Sequence, residues 1–321
     1  MIYRMKTYLV LLGMALTCQT ASAQLVTETF GSGTDAFSID FVTIGNPGNV
    51  ADDTTRTETP GAVAYTYQIG KYEVSRDMIL KANSAGGLEI TLWDMSDYGG
   101  NGVNRPATGM SWYGAAKFVN WLNTSKGYQA AYNFDGTGNF QLWGAGEYNG
   151  SNPFRHKNAV YVLPTVDEWY KAAYGKADGS WSNFPNGTDD APTAVASGTL
   201  LNTAVYDQSF STGPADITDA GGLSAFGTMA QGGNVWEWNE TAIDMNNDSV
   251  FDVSEVRWIG GGSWDNPSST LDASYPPGEY PSTELLTLGF RVASVPEPSI
   301  GLLVALGLGG LLLQRRKTGS L

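Results

Sequence analysis

The stretch from Gly233 to Trp238 combines residue types that have opposite preferences for burial. Trp236 and Trp238 flank the carboxylate of Glu237. Indole rings favour burial, whereas a buried carboxylate must be hydrogen-bonded or paired with a cation. Two interpretations follow for Glu237. It caps backbone amides within a core strand or turn, or it binds a metal ion or another ligand.

A second acidic segment, 244–255, has the spacing of a twelve-residue calcium-binding loop. Such loops supply oxygen ligands from positions 1, 3, 5, 7, 9 and 12, the seventh through a backbone carbonyl. Ser249 stands at position 6, where glycine is usual. A solvated acidic loop is the alternative, but the register of the oxygen-bearing residues predicts a calcium loop. Its predicted ligands are Asp244, Asn246, Asp248, Val250, Asp252 and Glu255.

Chemistry that depends on histidine or cysteine has few residues available. His156 is the only histidine and Cys18 the only cysteine of the chain. A histidine metal triad requires several such side chains, and no Gly-x-Ser-x-Gly segment marks a nucleophilic serine. We therefore predict that His156 is a surface loop residue, and we assign no catalytic residue and no binding site for an organic cofactor.

The charge of the chain excludes one class of partner. Residues 24–294 contain 31 of the 32 acidic residues but only 13 of the 18 Lys and Arg, a net charge of about −18. Nucleic-acid binding needs a basic surface that neutralises phosphates, so we expect no nucleic-acid partner. An acidic surface favours solubility and divalent cations instead.

Short helices and strands are predicted to position these segments. Ser75 can cap a helix that reaches about Asn83, and Ser111 can cap a second helix. The second helix has an apolar face at spacings of three and four residues, made of Trp112, Ala115, Ala116, Val119 and Leu122.

A third helix starts at a capping box, the reciprocal pair of Thr165 and Glu168, and Gly175 is predicted to end it in the left-handed conformation. Strands are predicted at 38–45, 62–70, 257–259 and 288–292. Abundant glycine, tryptophan and tyrosine between these elements indicate a loop-rich fold that is held by aromatic packing.

Both ends of the chain have the features of targeting segments. Arg4 and Lys6 precede an apolar run, and small residues at 21–23 mark a cleavage point, so residues 1–23 are predicted to be a signal peptide. Residues 295–321 contain Pro296-Glu297-Pro298, then an apolar segment, then a basic cluster. This order resembles the PEP-CTERM sorting signal of Gram-negative bacteria. The resemblance implies export to the cell envelope, the surface or the extracellular matrix, with attachment to the membrane through this segment until an exosortase-type machinery processes it.

Six motifs between the two ends occur in an order that resembles the formylglycine-generating enzyme (sulfatase-modifying factor) family. The motifs are Lys71 to Ser75, Pro106 to Trp112, Leu163 to Trp169, Gly233 to Trp238, Gly261 to Trp264 and Gly289 to Arg291. The resemblance covers about residues 40–294. It implies an α+β, irregular, loop-rich architecture related to C-type lectins, which we assign as one domain over 24–294.

The same resemblance implies which of the family's metal ligands and groove residues this chain has and which it lacks. Family members use copper held by two cysteines after the Gly-Gly-Ser-Trp motif, and the segment 265–284 contains none, so we expect no copper. Family members also bind calcium at the Trp-Glu-Trp region, which implies Glu237 as a ligand together with carbonyls of Gly233 and Val235. Ser263 and Trp264 match positions that line the family's active-site groove, and a cleft is expected there; the alternative is that both pack against the closing strand.

Three functions remain open on the sequence alone, one of them a purely structural protein of the cell envelope. The first is a non-catalytic, exported protein that binds an exopolysaccharide or a surface protein and is stabilised by calcium. The second is an enzyme of altered oxidative chemistry in the same cleft, which would require a redox metal.

Overall fold

The computed structural model describes residues 24–54, 59–245, 248 and 250–295. Within this part of the chain there are three α-helices and thirteen strands, most of the strands short, joined by long loops. The predicted α+β, loop-rich class is confirmed.

The helices are α1 (Arg76–Gly86), α2 (Trp112–Ser125) and α3 (Val166–Tyr174). The strands are β1 (Leu25–Phe30), β2 (Phe37–Ile44), β3 (Tyr67–Gly70), β4 (Asn133–Phe134), β5 (Phe140–Gln141), β6 (Tyr161–Val162), β7 (Thr193–Ala194), β8 (Thr203–Ala204), β9 (Trp236–Ile243), β10 (Val256–Gly260), β11 (Gly278–Glu279), β12 (Leu288–Gly289) and β13 (Ala293–Ser294).

Two sheets form the framework. The larger sheet has the order β1-β2-β3-β13-β6, and all its neighbouring strands run antiparallel. The second has the order β11-β10-β9-β12, in which β9 and β12 are parallel. Two-stranded pairs β4-β5 and β7-β8 lie outside them. The C-terminal strand β13 sits between β3 and β6, so the end of the domain closes the larger sheet.

The start of each helix follows from a local cap, as predicted. The Ser75 hydroxyl accepts a hydrogen bond from the Met78 amide, and the Ser111 hydroxyl accepts one from Gly114. Thr165 and Glu168 form both hydrogen bonds of the capping box. Gly175 ends α3 as predicted, but the predicted left-handed conformation is wrong, because its backbone is extended, at φ −76° and ψ 153°.

Helix α2 is anchored to both sheets. Its predicted apolar face is completely buried, and its N-terminal Trp112 donates from the indole nitrogen to the Asn239 carbonyl of β9 at 3.0 Å. Near the other end, the buried Asn123 accepts from the amides of Val160 and Tyr161 and donates to the Tyr161 carbonyl. Because a buried amide must satisfy its polar atoms, Asn123 fixes where β6 lies against the helix.

Two strand predictions need correction. Strand β3 covers only the second half of the predicted 62–70. Within the predicted closing strand 288–292 the structure has only β12, which ends at Gly289, and the next strand, β13, lies just beyond the predicted range. Strand β1 was not predicted at all. Its residues Leu25 to Phe30 pair with Phe37 to Val42 of β2, and Phe30 is the one residue of β1 that is buried.

The predicted signal peptide and the Pro-Glu-Pro tail with its apolar segment lie outside the described residues. Within the described part of the chain, no helix combines the length and apolar character needed to cross a membrane.

Candidate functional site

Glu237 is buried as one half of an ion pair. Both it and Arg291 have fully buried side chains, and the Arg291 guanidinium donates to the two carboxylate oxygens at 2.6 and 2.5 Å. The Trp169 indole nitrogen donates to the same carboxylate at 2.7 Å. Trp169 also packs on Gly260; a Cβ at Gly260 would lie 2.8 Å from the ring. Glu237 is thus a core residue with a specific partner, Arg291, which lies 54 residues further along the chain.

Arg291 ties two separate segments to that carboxylate. Besides Glu237, its guanidinium donates to the carbonyls of Gly70 at 2.9 Å and Met229 at 2.8 Å, with a longer contact to Lys71. A guanidinium has five N–H donors in a planar fork, which suits this arrangement. Arg291 therefore joins the end of β3 and the 229 loop to β9.

A second buried carboxylate holds the turn that precedes β9. Glu73 accepts from the Asn234 side-chain amide at 2.6 Å and from the Val235 backbone amide at 3.3 Å. Asn234 has a left-handed backbone at φ 60°, and Gly233 also has positive φ. A Cβ on Gly233 would lie 2.2 Å from the Val205 carbonyl oxygen, so this position requires glycine.

The burial of Glu73 gives stability a pH dependence. Burial, followed by the nearby Glu237 carboxylate, raises the pKa of Glu73 well above its usual 4.5. A raised folded-state pKa contributes stability below the unfolded-state value, and this contribution is lost as pH rises through the folded-state pKa. We expect Glu73→Gln, which mimics the neutral acid, to gain on the wild type as pH rises above about 4.5, by up to about 1.4 kcal/mol per pH unit.

Urea unfolding at several pH values measures this difference. Glu89→Gln, at an exposed position, is the control and should keep a constant difference from the wild type. Parallel pH curves for Glu73→Gln and the wild type would contradict the shifted titration of Glu73.

The groups around Glu237 do not fit a calcium ion as they are placed. Both carboxylate oxygens already accept hydrogen bonds from Arg291, and the guanidinium charge opposes a cation at the same position. Calcium there would have to displace Arg291. Gly233 and Val235 lie beside Glu73 and the Val205 segment, as described above. Calcium binding by Glu237, Gly233 and Val235 stays a prediction.

The acidic loop 244–255 connects β9 to β10, and Asn246 lies outside the described residues. Asp248 accepts from the Val250 amide at 2.8 Å, and Asp252 accepts from the Ser254 amide and hydroxyl. Burial, the larger effect, raises the pKa of Glu255, and one of its oxygens is shielded without a hydrogen-bond partner among the described residues. Among these residues no group of three or more His, Cys, Asp or Glu is arranged to hold a metal. The loop prediction therefore stays open.

An open cleft of about 270 Å³ lies beside the Gly-Gly-Ser-Trp motif. Three aromatic rings, two carboxylates and several small polar and apolar side chains line it. Trp93 and Phe210 are 42% and 44% exposed, so their rings remain available to a ligand. The lining residues are Trp93, Phe210, Trp236, Ser263, Asp265, Asn266, Glu284, Leu285, Leu286 and Thr287.

Ser263 and Trp264 have different roles at this cleft. Ser263 contributes to the lining, and its hydroxyl hydrogen-bonds to Asp265 at 2.5 Å and Asn266 at 2.9 Å. Trp264 is fully buried and does not line the cleft. Its ring stacks on Phe210 at 5.9 Å, and its indole nitrogen donates to the Phe210 carbonyl. Trp264 therefore holds the cleft residue Phe210 in place.

Sequence reasoning missed most of the lining. Trp93, Phe210 and Glu284 come from loops that are distant along the chain, and no local pattern connects them. Trp236 was assigned to the core, yet it faces the cleft and packs on Tyr275 at 5.9 Å, whereas Trp238 is buried as expected. The partner of Glu237 was within reach, because a buried carboxylate needs a cation and Arg291 lies in a recognised motif.

Comparisons with known proteins agree with this geometry. The model of the sulfatase-modifying factor enzyme 1-like domain matches residues 40–295. Variable protein 1 of Treponema denticola is 21% identical over 84% of this chain and 99% of its own, with a TM-score of 0.58. PvdO from Pseudomonas aeruginosa is 18% identical over 84% and 98%, at 0.53, and CarF is 18% identical over 81% and 99%, at 0.55. No curated protein matches the chain.

The identities to the solved structures are low, and these structures establish the fold alone. The family model spans most of the chain and includes both the Trp-Glu-Trp strand and the cleft. The chain therefore belongs to the family of the sulfatase-modifying factor enzyme 1-like domain.

Proposed function

We propose that this protein is a non-catalytic, ligand-binding member of its family and that its ligand occupies the cleft beside Ser263. The observation that carries the proposal is the lining itself: exposed faces of Trp93 and Phe210 stand next to the carboxylates of Asp265 and Glu284. Aromatic faces with a few directed polar groups are typical of ligand sites. The ligand class that we propose is exopolysaccharide, with a surface protein as the alternative.

The cysteines on which formylglycine generation depends are missing from this cleft. Its walls carry Ser263, Asp265 and Asn266 where copper(I) would need thiolates, and residues 24–295 contain no cysteine. Copper(I) selects soft sulfur ligands, and oxygen groups do not replace them. The residues present do not fit copper, and no reaction step is assigned to it.

Binding to the cleft is tested with one aromatic substitution. Trp93→Ala removes an exposed ring and leaves the backbone contacts of residue 93 in place, so folding should be retained. We expect ligands found on glycan and surface-protein arrays to bind Trp93→Ala about tenfold more weakly, the loss of roughly 1.4 kcal/mol expected for one aromatic contact. Tyr128→Ala, which removes a ring that is exposed outside the cleft, should bind normally. Equal binding by Trp93→Ala and the wild type would rule out the cleft.

Calcium is proposed as a stabilising ion of the loop 244–255. Its acidic residues and the partly buried Glu255 favour a divalent cation, and an ion bound only to the folded state stabilises it. We expect the melting temperature to rise with added calcium and to rise less in Asp248→Ala. The control is Asp190→Asn, an exposed site outside the loop. An identical melting curve in chelator and in calcium would remove the calcium proposal.

Export, a location at the Gram-negative cell envelope and processing by an exosortase-type machinery complete the proposal. They rest on the sequences of the two ends alone. Fractionation of cells that produce the full chain, with and without residues 295–321, tests them. Retention of both forms in the cytoplasm would contradict export.

A further inference from the structure

We propose that the group held in this cleft is a positively charged amine, carried by an amino sugar of a polysaccharide. The inference rests on the proposed binding function and names the chemistry of its ligand. Three observations carry it: the charge of the lining, the exposed aromatic faces, and two carbonyls of one wall, those of Leu285 and Thr287, that already accept hydrogen bonds.

The lining carries negative charge only. Asp265 and Glu284 both face the cleft, and none of its ten lining residues is Lys, Arg or His. Arg76, which donates to the Trp93 backbone carbonyl at 3.0 Å, is buried, and Arg105 donates to the Pro214 carbonyl, four residues beyond Phe210, at 2.6 Å. Beside Trp93, hydrogen bonds from Ser96 and Asn101 lower the pKa of Asp94 to about 2, which keeps this neighbouring carboxylate charged. The field at the cleft therefore favours a cation and disfavours an acidic sugar.

The aromatic faces suit both parts of an amino sugar. Trp93, Phe210 and Trp236 present rings to the same space, and two of them are more than two-fifths exposed. An ammonium group is attracted to the face of an aromatic ring, most strongly for tryptophan. The apolar C–H face of a pyranose can pack on the same rings, while its hydroxyls reach Asn266 and Thr287. An amine on a sugar ring uses all of these groups together.

A basic peptide fits this site less well. Extended peptides are commonly bound through backbone groups along a strand edge. In the wall at 284–287, two backbone carbonyls are already used as hydrogen-bond acceptors. The Leu285 carbonyl accepts from the amides of Gly109 and Leu288, and the Thr287 carbonyl accepts from the Trp236 amide. The volume of about 270 Å³ is also at the small end of ligand sites, which suits one or two sugar units.

The test compares two oligosaccharides with the same sugar backbone, one with charged free amines and the other with neutral acetamides. Calorimetry on the purified full chain, at mildly acidic pH where sugar amines are protonated, measures a glucosamine hexamer against the N-acetylglucosamine hexamer. We expect the glucosamine hexamer to bind about tenfold more tightly, and we expect this advantage to shrink as salt is added. Glu284→Gln should reduce glucosamine binding about threefold and leave binding of the acetylated hexamer unchanged. Glu89→Gln, an exposed site outside the cleft, should change neither.

The outcomes separate the two proposals. Equal or tighter binding of the acetylated hexamer overturns the amine inference and leaves glycan binding in the cleft standing. If a lysine hexapeptide binds and neither sugar hexamer does, the cleft is assigned to a basic protein and the amino-sugar inference is overturned. If neither the hexamers nor any array ligand bind, the proposed function itself fails. Glu284→Gln and Glu89→Gln should both melt like the wild type, so a loss of folding cannot produce these results.

Discussion

Replacing Arg291 with methionine is expected to lower the free energy of unfolding by about 3–5 kcal/mol, because it leaves a buried carboxylate without its cation. Glu237 and Arg291 are both fully buried and are joined through two hydrogen bonds. Methionine has a similar length and is apolar, so the loss of packing is small. Urea unfolding at neutral pH measures the effect.

The partner substitution and the double substitution show whether the effect comes from the pair. Glu237→Leu alone leaves Arg291 charged and buried, whereas Glu237→Leu with Arg291→Met leaves no charge. We expect the double variant to lose clearly less stability than the sum of the two single losses, since contacting residues are not additive. Lys81→Met, which breaks a partly exposed pair with Asp77, should cost no more than about 0.5 kcal/mol. Additive losses would show that the two residues act independently.

The same pair supports the cleft at a distance. Trp236 lies next to Glu237 on β9 and lines the cleft, and Arg291 attaches this strand to the carbonyls of Gly70 and Met229. Loosening the pair should therefore weaken ligand binding as well as stability. The position of Glu237 between two tryptophans places a buried ion pair and the cleft-lining Trp236 on one strand.

Local rules explain why the helices could be predicted. A cap joins residues three positions apart, so Ser75, Ser111 and Thr165 report the helix starts without knowledge of the fold. Gly175 shows the limit of this reasoning. Its extended backbone brings it close to Phe226 and Trp181, and a Cβ would lie 2.6 Å from the Lys171 carbonyl oxygen. The need for glycine here comes from the close approach of the Lys171 carbonyl together with the Phe226 and Trp181 rings, which a helix-end rule does not see.

The cleft could be predicted only in part. Ser263 was found because it belongs to a contiguous motif. Trp93, Phe210 and Glu284 are brought together by loops, whose paths depend on tertiary contacts rather than on periodic patterns. Fold-level resemblance located the groove, but its charge and aromatic faces are features of this chain that only the arrangement in space displays.

A second arginine, which bridges two buried carboxylates, has the other large expected effect. Arg155 donates from two nitrogens to two carboxylates, to Glu168 of α3 at 3.1 Å and to Glu240 of β9 at 2.9 Å. Both glutamates are fully buried, and tyrosine hydroxyls donate to each of them: Tyr65 to Glu168 and Tyr132 to Glu240. Arg155→Met is expected to cost about 3–5 kcal/mol at neutral pH, because two like charges would then share a buried site.

The pH dependence distinguishes this loss from a simple loss of packing. Without the guanidinium, burial and mutual repulsion raise the pKa of both glutamates, and protonation relieves the repulsion. The deficit of Arg155→Met should therefore shrink as pH falls from 7 towards about 5, since groups with raised pKa add stability at low pH. Arg155→Lys keeps the charge but loses the planar fork. Its stability should therefore lie between that of the wild type and that of Arg155→Met. Lys157→Met removes an exposed charge from the same loop and should stay within about 0.5 kcal/mol of the wild type. A deficit of Arg155→Met that does not change with pH would mean that Arg155 stabilises the loop by packing, with no charge linkage between α3 and β9.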